Sequence, residues 1–374
     1  MARGSGKTSG RRRVVGGVDT HAGTHHAAVE LMNGGRIADA QFPVTRQGYA
    51  DLLAWMCSLG RVHAVGVEGT GSYGAGLSRY LRGRGVGVID VNRPDRRQRR
   101  MAGKSDPLDA YAAADAVLAG RARTVPKAMD GIVESIRAVH LARAGAVKAR
   151  TACINQLRGL LVTAPAELRE AMTGLPTGPL VTACARLRPS AGPSAGPSAG
   201  PSAGPSAGPL RGTKIALRSL ARRHQALTAE ITDLDAHLAE LVTRARPDLL
   251  SVHGVGVETA AQLLITCGDN PDRLTGPAAF AALCGAAPVP ASSGKTTRWR
   301  LSRGGDRQAN RALHTIALSR MASCPRTRAY VARRTTQGKS KKEIIRCLKR
   351  YLARELFKAL TSTNTTHNAP PATA

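Results

Sequence analysis

Four acidic residues in the first third of the chain stand where they could bind metal ions. Asp19 ends the apolar run VVGGVD, and Glu68 ends a second such run, VHAVGVE. Asp106 and Asp109 lie in KSDPLDAYAAADAVL, whose Pro107 suits the first turn of a helix. Because residues three apart share one face of a helix, both of these carboxylates can point the same way. Two strand ends and one helix start can therefore bring four carboxylates to one point.

Carboxylates held this close repel one another unless cations neutralise them. Mg²⁺ prefers hard oxygen ligands, and two such ions clamp the attacking and leaving oxygens of phosphoryl transfer. The sequence therefore predicts a catalytic Mg²⁺ site, with two ions, on Asp19, Glu68, Asp106 and Asp109. A single Asp at a strand end is more often a turn residue or a helix cap, so the prediction depends on all four acids in this order.

A second candidate for chemistry is the irregular stretch GAAPVPASSGKTTRWRLSRGGDRQANRALH, residues 285–314. Ser293 directly precedes Gly294, and basic side chains surround it. A serine that attacks a phosphodiester needs such cations to neutralise charge in the transition state. Ser293 is therefore the predicted nucleophile, although the adjacent Ser292 leaves the register open and no His is obviously placed as the base. An ordinary loop serine is the alternative.

The charge of the chain predicts a polyanionic partner. Its 374 residues carry 55 Lys and Arg against 25 Asp and Glu, a net charge of +30, and an excess of this size favours nucleic acid. The turn Gly254-Val255-Gly256 between two helical patterns is typical of a helix-hairpin-helix, whose backbone N–H groups hold a DNA phosphate. The predicted nucleic-acid-binding positions are Arg93, Arg96, Arg97, Arg99, Arg100, Lys104, Gly254, Gly256, Lys295, Arg298, Arg300, Arg303 and Arg311.

Strands and helices that alternate along the chain must position the acidic residues. Three strand-like segments lie between residues 14 and 45, with a hairpin signal at Asn33-Gly34-Gly35. A helix at Gly48 to Leu59, the strand ending at Glu68, a helix at Leu77 to Arg82 and the strand VGVIDVN follow. This order predicts an α/β domain with a mixed sheet, the arrangement of RNase H and resolvase-like nucleases.

The remainder of the chain is predicted to be mostly helical. Residues 190–209 repeat the tetrapeptide SAGP five times, cannot bury a core and predict a disordered linker. Leucines from Leu217 to Leu241 follow coiled-coil spacing, which leaves packing within the chain and assembly between chains both open. The predicted divisions are a disordered basic arm at 1–13, a resolvase-like domain at 14–125, a helical coiled-coil region at 126–247, a mostly α C-terminal domain at 248–330, and a basic helix with a disordered tail at 331–374.

Composition also predicts where the protein works. No apolar run is long enough to span a membrane, and the basic start MARGSGKTSGRRR lacks the apolar core of a secretory signal. The seven cysteines are scattered, without a Cys-x-x-Cys pair, and are expected to be reduced. A cytoplasmic, nucleoid-associated protein without a membrane partner is therefore expected.

Two blocks of motifs together resemble the DEDD-motif insertion-sequence transposases, the group that includes the Piv-type invertases. The first comprises GVDTHAGTHHAAV, VEGTGSYGAGL, VNRPDRRQRR and KSDPLDA; the second comprises VHGVGVETAAQLL, LCGAAPVPASSGK and RLSRGGDRQANRAL. The resemblance covers over half of the chain. The SAGP repeat is foreign to the pattern, and Asp306 stands where a neutral residue such as Asn is more usual.

The resemblance implies a resolvase-like domain, a coiled-coil middle, and a C-terminal domain with a nucleophilic serine. It also implies site-specific recombination of double-stranded donor and target DNA, a structured guide RNA in at least some members, and homodimers that pair into tetramers. The sequence is accordingly interpreted as an RNA-guided or unguided transposase. The alternatives are a metal-dependent nuclease for branched, Holliday-junction-like DNA and a non-catalytic nucleic-acid-binding protein.

Overall fold

The computed structural model describes residues 12–91, 105–189, 209–294, 299–300, 302 and 304–362. These residues form two compact units. The first unit comprises the described residues within 1–134, 266–306 and 353–374, and the second comprises those within 135–265 and 307–352. The disorder predicted for the N-terminal arm, the SAGP repeat and the C-terminal tail falls almost wholly outside the described residues, and the domain boundaries predicted from the sequence stay a prediction.

A five-stranded mixed sheet forms the centre of the first unit, as the sequence predicted. Its strands are β1 (Arg13–Thr20), β2 (Thr24–Leu31), β3 (Arg36–Pro43), β4 (Arg61–Glu68) and β5 (Val88–Val91), in the spatial order β3-β2-β1-β4-β5. Strands β1, β2 and β3 pair antiparallel, whereas β4 is parallel to both β1 and β5. Strand β1 begins at Arg13, the last residue of the predicted arm.

Two helices cover one face of the sheet and close the main core. They are α1 (Arg46–Leu59) and α2 (Ala75–Gly83). Thr45 caps α1, since its hydroxyl accepts the N–H of Gly48 at 3.0 Å. Alternating strand residues point into this layer and pack against apolar side chains of both helices. The strands contribute Val14, Val18, Val29, Val65 and Val67, and the helices contribute Leu52, Met56, Leu77 and Leu81.

The opposite face of the sheet carries helix α3 (Asp106–Leu118), which approaches the strands unusually closely. Gly17 of β1 and Gly66 of β4 lie side by side in the parallel register. A Cβ atom on Gly17 would lie 2.0 Å from the carbonyl oxygen of Ala110, and one on Gly66 would lie 2.6 Å from that of Ala113. The two glycines and the alanines of α3 therefore let the backbone of the helix rest directly on the sheet.

A buried carboxyl group lies between this helix and the sheet. Glu30 of β2 is 1% exposed, and its Oε2 atom has no hydrogen-bond partner among the described residues. Burial and the neighbouring carboxylate of Asp115 in α3 raise the pKa of Glu30 to about 7, although Arg36, whose Nε lies 3.8 Å from Oε1, lowers it. Glu30 therefore binds its proton more tightly in the folded chain than in the unfolded chain.

The stability of the first unit should consequently fall as the pH rises. Stability from a raised acidic pKa is fully present below the unfolded value of 4.5 and is lost as the pH passes about 7. Glu30→Gln mimics the protonated acid, so we expect it to match the parent near pH 5 and to exceed it at pH 8, by at most about 3 kcal/mol. Urea unfolding at both pH values measures this difference. An equal difference at pH 5 and pH 8 would contradict the prediction.

The second unit contains the predicted coiled-coil region. Its helices are α4 (Ile132–Val162), which begins in the first unit, α5 (Ala166–Met172), α6 (Thr177–Ala185) and α7 (Pro209–Ala245). Leu157 of α4 and Leu217 of α7 share one buried cluster with α5 and α6. Arg143 of α4 also pairs with Asp235 of α7. The leucine stripe of α7 is therefore packed within the chain, and α7 begins at Pro209, the last residue of the predicted linker.

The remaining elements are mostly helical. They are α8 (Pro247–Ser251), α9 (Val257–Cys267), a 3₁₀ turn (Pro271–Arg273), α10 (Pro277–Leu283), the short strands β6 (Val289–Pro290) and β7 (Trp299–Arg300), α11 (Arg307–Ser323), α12 (Pro325–Thr336) and α13 (Lys341–Thr361). The basic C-terminal region is thus two helices, separated at Gly338, whose φ is +76°. None of the described helices combines the length and apolar character needed to cross a bilayer.

Candidate metal centre

The ends of β1 and β4 place Asp19 and Glu68 side by side. Val18 pairs with Val67 in the parallel register, so the next residue on each strand is one of the two acids. The hydroxyl of Thr20 donates a hydrogen bond of 2.9 Å to the carbonyl oxygen of Glu68 and ties the two strand ends together. Since Gly17 and Gly66 face α3, alternation along each strand puts Asp19 and Glu68 on this same face.

The first turn of α3 brings two further carboxylates to this edge of the sheet. Pro107 stands at the start of the helix, and the N–H of Asp109 donates a hydrogen bond of 3.0 Å to the carbonyl oxygen of Ser105. Asp109 is buried, whereas the side chain of Asp106 is half-exposed. Both carboxylates lie at the positive end of the helix dipole, which favours their charge.

A histidine that the sequence analysis did not select completes the group. Nε2 of His21 lies 3.1 Å from Oδ2 of Asp19 and 3.4 Å from Oδ1 of Asp106. One ligand atom from each of these three residues lies within 4.8 Å of the others. In the part of the chain that the structure describes, no other His, Cys, Asp or Glu belongs to a group this compact.

The electrostatics of Asp19 are those of a site with too much negative charge. Burial raises the pKa of this carboxyl group, and the nearby carboxylates of Asp109 and Asp106 raise it further. The imidazole of His21 lowers the pKa by interacting with the charged form. The fold therefore holds Asp19 against the repulsion of two acids, and a cation would relieve that repulsion.

The donor atoms fit a divalent cation. Ligands bound to one Mg²⁺ at about 2.1 Å lie at most about 4.2 Å apart, so the two distances from His21 are already short enough. The carboxylates of Asp19 and Asp106 need only a small shift to share an ion with it. Asp109 adds charge beside them, and Glu68 stands on the neighbouring strand end without its carboxylate entering the compact group.

A second set of polar side chains supports the same face of the sheet. His26 of β2 is the cross-strand partner of Asp19, and its Nε2 donates to Oδ2 of Asp39 at 2.7 Å. The hydroxyl of Tyr111 in α3 donates to Oδ1 of Asp39 at 3.3 Å, and the guanidinium of Arg36 stacks 4.4 Å from the Tyr111 ring. These contacts fix α3 against β2 and β3 and so help to hold the first turn of the helix in place.

Ser293 lies in a different loop of the first unit. It is exposed in the segment 291–294 between β6 and β7, and Gly294 has a φ of +54°. The predicted partner Arg300 is exposed on β7. Asp306, unusual for the resembled family, accepts the hydroxyl of Thr266 at 2.8 Å. Asp306 therefore has a structural partner in this chain.

The glycine turn before α9 packs within the second unit. Gly254 has a φ of +81°, and a Cβ there would lie 3.2 Å from Cγ of Arg320 in α11. The N–H of Gly256 already donates to the hydroxyl of Thr259 at 3.1 Å. Helix α8 before the turn has only five residues. Arg311 of α11 is exposed. The pKa of Glu258 is lowered mainly by His140, with smaller contributions from Arg143 and then Arg311.

Many of the predicted nucleic-acid contacts fall outside the described residues. They are Arg93, Arg96, Arg97, Arg99, Arg100, Lys104, Lys295, Arg298 and Arg303.

Comparison with known proteins supplies the deciding observation. A DEDD transposase model for IS110, described as "Transposase", matches residues 16–164. A second model, described as "Transposase IS116/IS110/IS902 family", matches residues 247–332. The two matches occur in the order in which the motif blocks resemble the family.

The chain belongs to the IS110 family of transposases.

Two curated relatives agree with this membership. The chain is 35% identical over 147 residues to the "Insertion element IS110 uncharacterized 43.6 kDa protein" of Streptomyces coelicolor, covering 39% of this chain and 35% of the relative. It is 33% identical over 134 residues to the "Insertion element IS900 uncharacterized 42 kDa protein" of Mycobacterium paratuberculosis, covering 35% and 34%. The matched part thus spans about a third of the length of each relative.

Within this IS110-family chain the first model spans Asp19, Glu68, Asp106 and Asp109, and the second spans Ser293 and the glycine turn. His21 and the His26–Asp39 pair were missed from the sequence. The signal for His21 was the period of two in a strand, since an Asp-x-His sequence at a strand end puts both side chains on one face.

Proposed function

We propose that this IS110-family chain is a transposase that cuts and rejoins DNA strands for its own insertion sequence. The observation that carries the proposal is the convergence of Asp19 with Asp106 and Asp109 at the edge where β1 meets the start of α3. Asp19 is far from Asp106 and Asp109 in the sequence, so only the fold brings the three acids together. In a chain with a net charge of +30, such a concentration of acid serves a cation and the phosphate it binds.

The domain around these acids is proposed to be an RNase H or resolvase-like domain, at about residues 14–125. The spatial order β3-β2-β1-β4-β5 and the acids at the ends of its two central strands support this assignment. The helical remainder, with α4 paired to α7, supports a coiled-coil middle, and residues 248–330 are proposed as the C-terminal catalytic domain with a helix-hairpin-helix at Gly254 and Gly256.

The proposed cofactor is Mg²⁺, with two ions shared among Asp19, Glu68, Asp106 and Asp109. Such ions supply charge stabilisation to the attacking and leaving oxygens of the phosphodiester. The chain's own part is to hold these carboxylates at fixed positions. The hydrogen bond of Thr20 joins the ends of β1 and β4, which carry Asp19 and Glu68. The close contact of α3 with Gly17 and Gly66 determines how far Asp106 and Asp109 lie from the sheet.

The proposed nucleophile is Ser293. Its Oγ would attack phosphorus, the bond from phosphorus to one bridging oxygen would break, and the serine proton would pass to that leaving oxygen through solvent. The product is a phosphoserine ester and a free DNA hydroxyl. A hydroxyl of a second strand can reverse the step, so the strands are rejoined without external fuel. The exposure of Ser293 and the left-handed Gly294 support access of a DNA strand.

The proposed partners are double-stranded donor and target DNA, a structured guide RNA, and further copies of the chain as dimer and tetramer. The charge excess supports the nucleic-acid partners. The proposed phosphate contacts are the backbone at Gly254 and Gly256, the basic run at 93–104, and Lys295, Arg298, Arg300, Arg303 and Arg311.

Trapping of a covalent adduct tests the proposal. A nicked duplex carrying the element end should become joined to the protein, and the modified peptide should contain phosphoserine at position 293. Ser293→Ala should bind the duplex as tightly as the parent but lose the adduct and strand exchange, by about 100-fold or more. Ser292→Ala is the matched control and should retain both.

Two other results would contradict this assignment. An adduct at Ser292 would move the nucleophile by one residue. Metal-dependent cleavage by a Ser292→Ala/Ser293→Ala double variant, without any adduct in the parent, would favour a structure-specific nuclease instead.

A further inference from the structure

We propose that His21 is a direct ligand of the divalent cation at the acidic centre, and that its nitrogen biases this centre from Mg²⁺ toward Mn²⁺. The inference rests on the proposed function, because it requires that Asp19 and Asp106 bind a cation. It adds a ligand of a different chemical class to the four carboxylates.

The position of the imidazole supports ligation. A single atom, Nε2, faces both carboxylates at 3.1 and 3.4 Å. These separations are within the range of about 3.0 to 4.2 Å expected for two ligands of one ion with bonds of about 2.1 Å. In a neutral imidazole the proton can reside on Nδ1, which leaves Nε2 as a lone-pair donor directed at the same point as the carboxylate oxygens.

The backbone around His21 is fixed before any cation binds. The N–H of His21 donates a hydrogen bond of 3.0 Å to the carbonyl oxygen of Thr24, the first residue of β2. The preceding Thr20 is bonded to the end of β4. Because His21 and the residue before it are both hydrogen-bonded to the sheet, little backbone conformational entropy is lost when the imidazole binds an ion.

The ligand set determines the metal that suits the centre. Carboxylates suit Mg²⁺, Ca²⁺ and Mn²⁺ alike, whereas imidazole nitrogen is a poor ligand for Mg²⁺ and a good one for first-row transition ions. Mn²⁺ accepts both kinds of ligand. Asp19 and Asp106 together with His21 therefore offer Mn²⁺ one favourable bond that they do not offer Mg²⁺.

Electron spin echo spectroscopy of Mn²⁺ bound to the full-length protein tests the ligand directly. Nitrogen bonded to Mn²⁺ modulates the echo, and the modulation changes when histidine is labelled with ¹⁵N. The parent should show this nitrogen signal, and His21→Ala should lose it. His63→Ala removes an exposed imidazole from β4, in the same sheet, and should keep the signal.

Affinity gives a second readout that does not depend on DNA cleavage. Calorimetric titration should show that His21→Ala weakens Mn²⁺ binding by about tenfold or more. Removal of a residue that only hydrogen-bonds to a metal ligand already weakens binding by about that factor. Mg²⁺ binding should weaken less. Because the side chain is about half exposed, the variant should fold, and its thermal unfolding without metal should match that of the parent.

The possible failures are distinguishable. Mn²⁺ that binds the parent without a nitrogen signal, or a signal that persists in His21→Ala, would overturn the role of His21 and leave the acidic centre intact. Absence of Mn²⁺ binding to the parent, or binding unchanged by Asp19→Asn, would overturn the proposed metal centre itself.

Discussion

Asp19→Asn is expected to slow DNA strand cleavage by about 100-fold or more while leaving the metal-free protein at least as stable as the parent. Cleavage should fall because the change removes a group that stabilises charge in the transition state. Stability should not fall because Asn is nearly isosteric and removes a buried charge that Asp109 and Asp106 repel. The prediction is therefore a loss of cleavage activity without a loss of stability.

Cleavage assays and thermal unfolding with and without divalent cation measure the two effects. The parent should gain about 2.7 kcal/mol when the cation is at about 100 times its Kd, and the variant should gain much less. Asp51→Asn is the matched control, since it removes the same charge from an exposed position on α1. Undiminished cleavage by Asp19→Asn, or equal losses in both variants, would contradict the prediction.

Gly17→Ala is expected to destabilise the first unit by about 3 kcal/mol, the upper part of the usual range for overpacking. The added Cβ would lie 2.0 Å from the carbonyl oxygen of Ala110 and 2.4 Å from the nitrogen of Ala114. Both are backbone atoms, so the whole of α3 must move away from β1. The movement should carry Asp106 away from Asp19 and weaken cation binding as well.

The neighbouring glycine provides the control for this prediction. Gly16 faces the other side of the sheet, where a Cβ would meet Cε and Sδ of Met56 at 2.8 Å. A flexible methionine can move aside, so Gly16→Ala should cost clearly less and should leave cation binding unchanged. Chemical denaturation of both variants decides the matter. If both variants lost the same free energy of unfolding, the close approach of α3 would not be the reason that position 17 requires glycine.

Local pattern was enough to predict most of the first unit. The strands β1 to β5 and the helices α1 to α3 were expected from apolar alternation, from the turn at Asn33-Gly34-Gly35 and from Pro107 at a helix start. Each of these signals acts between residues that are close in sequence, so no knowledge of packing was needed to read them. The same is true of the long helix α7, although its first residue, Pro209, was assigned to the linker.

The acidic centre was predictable in outline but not in composition. That Asp19 and the two acids of α3 would meet was a hypothesis from strand ends and a helix start. His21 was overlooked because an exposed histidine beside an acid is common, and only the position of α3 shows that its Nε2 also faces Asp106. Whether Glu68 joins the same cation depends on side-chain geometry that strand order alone does not specify.

Tertiary structure alone decided which surfaces meet. The heptad pattern of α7 specifies an apolar stripe that must be covered, but not whether the same chain or another chain covers it. The pairing of Arg143 with Asp235, and the cluster in which Leu217 packs with α4, α5 and α6, show that helices of the same chain cover it. Likewise, the sequence alone determined that Gly17 and Glu30 lie in strands. Only the packing of α3 against β1 and β2 made the first a point of backbone contact and the second a buried acid. The reason is physical: a side chain's pKa and its tolerance of substitution depend on atoms within a few ångströms, and those atoms come from residues distant in sequence.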